Sequence, residues 1–100
     1  MRYIGYDELE KGQNFPKMKD SLENKAYPQK VDIIRFLQSG HIEFAQLSRS
    51  KDVFSGEIIP FEVLVMSDGN YYWSNELVWY VDKYNLRLPE DFEQHILRNS

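Results

Sequence analysis

A chain of 100 residues, 42% hydrophobic and 28% charged, has the size and balance of one ordinary domain, which argues against a second module and against wholesale disorder. The lack of cysteine excludes disulfide scaffolds, thiolate zinc sites and cysteine nucleophiles, and apolar runs such as Val63–Met66 are far too short to cross a bilayer. The net charge of −4 hides an asymmetry: residues 1–51 carry nine Lys/Arg and seven Asp/Glu, residues 52–100 three and nine.

The first 27 residues give the weakest local signals. Tyr3, Ile4, Tyr6 and Leu9 fit either a short strand or a helical turn before Gly12-Gln13-Asn14 and Phe15-Pro16 break the pattern. Residues 1–27 are therefore expected as an irregular arm docked on the core through its aromatics, with residues 28–97 as that core. Met1 to Glu8 has no apolar signal core and turns acidic at once, so the chain is expected in the cytoplasm.

From Pro28 the signals sharpen. Val31, Ile34 and Leu37 recur every three residues, Ile33 and Phe36 widen the stripe, and Gly40 stands where a left-handed cap belongs, which predicts a helix over about 28–39. Ile42, Phe44 and Gln46 alternate with Glu43, Ala45 and Leu47, a strand with one apolar side. Val53-Phe54 reads as a brief pairing and Ser55-Gly56 as a turn. Phe61–Met66 is β-branched and aromatic enough for a central strand. Asp68-Gly69, before Tyr71-Tyr72-Trp73, is the best hairpin signal in the chain. Ser74 then suits an N-cap, a helix runs to about Tyr84, Asn85 takes the left-handed exit, and Pro89-Glu90-Asp91 opens a last helix through about Leu97. The order implies one α+β domain: a three- to four-stranded antiparallel sheet with helices packed on one face.

Chemistry-bearing patterns are sparse. His41 and Glu43 share His-x-Glu spacing on a strand, which admits a small hydrolytic site, yet a metal needs three or four ligands and no third lies near. His95 falls about 60° from Phe92 on its helix and is expected to edge the core. The acidic pairs Asp7/Glu8 and Glu90/Asp91 diverge by about 100° if helical, so neither converges on one substrate atom. No glycine-rich phosphate loop, nucleophile elbow or HExxH pattern is present. The reading is a non-enzyme with no metal and no cofactor.

Aromatics concentrate between residues 71 and 84. Tyr71 and Trp73 share one strand face and Tyr72 takes the other. On the helix, Val81, Tyr84 and Tyr80 fall within about 60° of Leu77, while Trp79 lands about 200° away among Asn75, Glu76, Asp82 and Lys83. An indole on a polar face suits an interface anchor. Packing beneath the N-terminal arm or a neighbouring helix is the other reading, and Tyr72 carries the same alternatives. Nucleic-acid binding needs interleaved Lys or Arg, and residues 68–84 offer Lys83 alone against Asp68, Glu76 and Asp82. The candidate partner-binding set is Asp68, Tyr72, Glu76, Trp79 and Asp82, with Asp52 and Glu57 in the central loop. Its expected partner is a basic protein, with neither nucleic acid nor membrane involved.

Lys30-Val31-x-x-Ile34-x-x-Leu37-x-x-Gly40, Asp68-Gly69-x-Tyr71-x-Trp73, Leu77-x-x-Tyr80-Val81-x-Lys83-Tyr84 and Leu88-Pro89-x-x-Phe92 together resemble small bacterial immunity proteins of contact-dependent growth inhibition and related polymorphic toxin systems. The resemblance covers residues 28–97. It implies a non-catalytic inhibitor that binds one cognate protein toxin, often a basic nuclease, and occludes its active site. The alternative is a structural or regulatory protein acting as a homodimer or larger homo-oligomer through Trp79 and Tyr72.

Overall fold

The computed structural model describes residues 1–99. Its order is β1 (Arg2–Ile4), a 3₁₀ turn (Met18–Ser21), α1 (Lys30–Gln38), β2 (His41–Ala45), β3 (Leu64–Ser67), β4 (Tyr71–Ser74), α2 (Glu76–Tyr84) and α3 (Glu90–Arg98). The α+β architecture matches the expectation, and the four strands form one sheet in the order β1-β4-β3-β2.

β3 and β4 make the expected hairpin. Gly69 takes φ 93 at the turn, and Asp68 Oδ1 accepts the amides of Asn70 (2.9 Å) and Tyr71 (2.8 Å). A short acidic side chain beside a residue free to adopt positive φ is what such a loop requires. Strand alternation then sends Tyr71 and Trp73 to one face and Tyr72 to the other. Trp73 is fully buried, with its ring centroid 5.7 Å from Phe36 of α1 and 5.6 Å from Phe92 of α3. Its indole N–H donates to the Leu37 carbonyl at 3.2 Å, so the largest core side chain leaves no polar group unpaired.

The N-terminal segment is more ordered than an irregular arm. β1 runs parallel to β4, with Tyr3 beside Tyr72 and Ile4 beside Trp73, so the sheet is mixed rather than wholly antiparallel. Ile4, Tyr6 and Met18 are buried. Glu8 caps the 3₁₀ turn by accepting the amides of Met18 and Lys19. The Tyr6 hydroxyl donates to the Arg87 carbonyl (2.8 Å) and the Tyr27 hydroxyl to the Leu86 carbonyl (2.7 Å). These two bonds tie the segment to the α2–α3 connection, and docking through aromatics is as expected.

Gly40 differs in its reason. It is not among the positive-φ residues, but a Cβ there would lie 2.9 Å from both the Ser67 carbonyl oxygen and the Trp73 ring. Glycine is required for close approach, not for a left-handed cap. Asn85, at φ 57 and ψ 42, does take the left-handed exit from α2. In β2 the register shifts between Ile42 and Phe44, which pair with Met66 and Val65 respectively. Neighbouring residues on β3 face opposite ways, so the one apolar side expected for β2 is divided between the two faces.

Beyond β2 the backbone stays close to the incoming segment of β3. Gln46 N–H donates to the Val63 carbonyl, Val63 N–H to Ser48 and Ile59 N–H to Ser50, and Lys51 bridges Ile58. The result is a long ribbon closed by a turn at residues 52–56. Every residue from 41 to 49 is exposed. β2 lies at the end of the strand order.

Candidate functional site

Helices α1 and α3 cover the Trp73 side of the sheet. The opposite side carries Tyr3, Tyr72, Ser74, Val65 and Phe44 and forms an open hollow of about 410 Å³, within the size range of ligand sites. Val63 and Val65 are buried, while Leu9 and Glu10 line it from the segment after β1 and Gln46, Ser48 and Ser50 from the ribbon. The Tyr3 and Tyr72 rings are 4.9 Å apart and tilted by 55°.

Two carboxylates face this space. Glu10 Oε1 accepts the Tyr3 hydroxyl at 2.8 Å. Glu76 accepts Ser50 Oγ on Oε2 (2.7 Å) and Ser74 Oγ on Oε1 (2.8 Å), while its own amide donates to Ser74 Oγ (3.1 Å). Ser74 Oγ thus accepts the first amide of α2 although the N-cap position is Asn75, one residue later than expected, and it also fixes the orientation of the Glu76 side chain. Burial, then the hydrogen bond and charge of Glu10, with smaller contributions from Glu76 and Tyr72, push the Tyr3 hydroxyl well above the ordinary phenol range. No Lys or Arg lines the hollow, and neither Glu10 nor Glu76 joins an ion pair among the described residues.

Of the residues singled out from sequence, Tyr72 and Glu76 line this hollow together. The others lie elsewhere. Asp52, 1% exposed, is an internal anchor rather than a partner contact. Its Oδ2 accepts Trp79 Nε1 (2.9 Å) and the Tyr84 hydroxyl (2.7 Å), and its Oδ1 accepts the amides of Phe54 (2.7 Å) and Ser55 (3.1 Å). Burial alone would raise its pKa; the four donors outweigh that and bring it down to about 2.

Trp79 is accordingly not a free outward anchor. It is half-buried, its N–H is taken by Asp52, and Lys83 Nζ lies 4.8 Å above its ring. Its partner is the ribbon turn, which neither expectation named: the ring is not free at the surface, and the contact is not with the N-terminal arm or a neighbouring helix. Glu57 pairs with Lys83 at the surface. Asp68 is held by the hairpin amides and by His95 Nε2 at 2.5 Å, interactions that lower its pKa against the opposing effect of burial. Asp82 is exposed, and its carbonyl accepts Lys30 Nζ (2.7 Å).

The acidic half is thus not one acidic face. Asp91 pairs with Arg2, and the buried Glu93 takes two guanidinium bonds from Arg87 and the Leu88 amide. His95 edges the core as expected, 4.8 Å from the Tyr71 ring. His41 and Glu43 are both exposed, and the register shift interrupts the alternation that would align them. No group of three or more His, Asp or Glu among the described residues is arranged to hold a metal, and no helix among them is long and apolar enough to cross a membrane.

Sequence reasoning missed Tyr3, Glu10, Phe44, Gln46 and Ser50 as parts of one hollow. Alternation from the buried Ile4 would have turned Tyr3 to the open face, but nothing local to Glu10 or Ser50 reveals their neighbours. Comparison with protein-family models, curated proteins and solved structures gives no match.

Proposed function

We propose that this chain is a non-catalytic protein-binding inhibitor that captures a basic partner, as a cytoplasmic immunity protein captures its toxin. The observation that carries this reading is the ribbon. Ile42, Phe44, Leu47, Val53, Phe54 and Ile58 are six of the nine large apolar residues exposed among the described residues, and all six lie within residues 42–58. Apolar side chains concentrated along one exposed stretch of chain mark a protein-docking surface. The outer edge of β2 adds unpaired backbone groups that an extended segment can join. The net charge of −4 and the Glu10/Glu76 hollow beside the ribbon favour a cationic partner.

The test is affinity capture from the native host, followed by assay of the captured protein's activity with and without this chain. A basic partner that loses activity on binding, and associates more slowly as salt rises, supports the reading. Leu47→Lys should abolish capture. A partner that keeps full activity, or binding indifferent to Leu47→Lys, refutes it. The open β2 edge also favours a second reading, a homo-oligomer joined edge to edge. Light scattering over a concentration range separates the two, since a tight dimer with no other ligand supports self-association.

A further inference from the structure

The geometry points to the hollow between β1, β4 and the ribbon as a receptor for one basic side chain, lysine or arginine, presented by the protein partner. Three observations converge on a cation with an apolar stem. Glu10 and Glu76 both face the hollow with no internal cation to neutralise them, although Lys83, Arg87 and Arg2 all pair with acids elsewhere. Each Glu76 oxygen is held by one serine hydroxyl, which orients the carboxylate and leaves each oxygen a further lone pair for an incoming donor. The aromatic residues Tyr3, Tyr72 and Phe44 line the hollow together with the buried Val63 and Val65.

Aromatic faces attract cations through their quadrupole, and the methylene stem of Lys or Arg covers apolar surface while its head meets a carboxylate. An anion would meet two carboxylates here. A neutral apolar group would leave both without a counter-charge. Phe44 and Gln46 belong both to the hollow and to the exposed ribbon, so a chain docked along that ribbon passes the mouth of the hollow. This last step, the side chain's origin in a docked protein, rests on the reading of the ribbon given above; the hollow's preference for a cation does not.

The test titrates the intact isotope-labelled protein, observed by amide NMR, with N-acetyl-arginine amide, N-acetyl-lysine amide, the neutral isostere N-acetyl-citrulline amide, and putrescine as a free diamine. Saturable shifts of Glu10, Gln46, Tyr72 and Glu76 with the arginine or lysine compound, absent with citrulline, support the site. Glu76→Gln should weaken that binding about tenfold, the effect of losing roughly 1.4 kcal/mol of charge-assisted bonding. If Glu76→Gln disturbs the fold, Glu10→Gln, which keeps an oxygen for the Tyr3 hydroxyl, and Tyr72→Leu serve instead, each with weaker binding expected. Equal binding of citrulline, shifts located elsewhere, or no shifts overturn the proposal. Putrescine binding more tightly than either amino-acid amide overturns the side-chain assignment and makes the hollow a free-amine site. Because none of these ligands is the partner, failure of partner capture with success here would sink the inhibitor reading and leave the cation site standing.

Discussion

Replacing Asp52 by asparagine tests the anchor that holds the ribbon turn on α2. The carboxylate takes four donors with two oxygens. Asparagine has one oxygen, and its NH₂ would meet either two backbone amides or the Trp79 N–H and Tyr84 hydroxyl. The Asp52 carboxyl titrates at about 2 against an ordinary 3.8, a gap worth about 2 kcal/mol at roughly 1.4 kcal/mol per pH unit. With a donor left unpaired, the total loss at neutral pH is about 2–4 kcal/mol, or a fall in Tm of at least roughly 8 °C for a domain of this size. Because the folded pKa is depressed, the contribution is fully present above about pH 4 and fades as pH falls towards 2. Urea unfolding of both proteins at a series of pH values between 7 and 2 should show a gap that narrows in that window. A variant within about 0.5 kcal/mol of the parent at neutral pH, or a gap unchanged down to pH 2, would refute the argument.

Glu93→Ala strips the buried partner from Arg87 and the Leu88 amide, and should cost about 2–4 kcal/mol in urea unfolding. Gly40→Ala forces a methyl group to within 2.9 Å of the Ser67 carbonyl and the Trp73 ring; a loss of about 1–3 kcal/mol is expected, with a lowered thermal midpoint as the readout. Leu47→Lys, at a site 88% exposed, should leave stability within about 0.5 kcal/mol while abolishing partner capture, so folding and docking are read separately. His95→Ala removes one of the interactions that lower the Asp68 carboxyl pKa. Asp68 then titrates nearer the ordinary aspartate value, and stability contributed above that value and lost on acidification should become less pH-dependent, measured by unfolding across the acid range.

Local signals carried a long way in this chain because they depend on neighbours in sequence. The Asp68-Gly69 turn, the left-handed Asn85 and the periodic stripe of α2 each follow from backbone sterics or helical spacing over a few residues, whereas on α1 the expected stripe is displaced: Ile33 and Leu37 are buried and Val31 is exposed. The division of Tyr71 and Trp73 from Tyr72 follows equally from alternation along β4. Where a wheel of α2 alone was used to place Trp79, it identified the face and missed its cover, because the covering turn is brought back by the ribbon and pinned by Asp52.

Composition and short-range pattern determined that this is one α+β domain with Tyr71 and Trp73 on one face of a strand and Tyr72 on the other. Only the tertiary structure decided that β1 joins β4 in parallel, that β2 changes face within the strand, and that most of the acidic half is consumed by internal partners. It alone assembled Tyr3, Glu10, Phe44, Tyr72 and Glu76 around one hollow. Those residues come from β1, the segment after it, β2, β4 and α2, and their meeting depends on closure of long loops and on packing against a common core, whose free energy no local window contains.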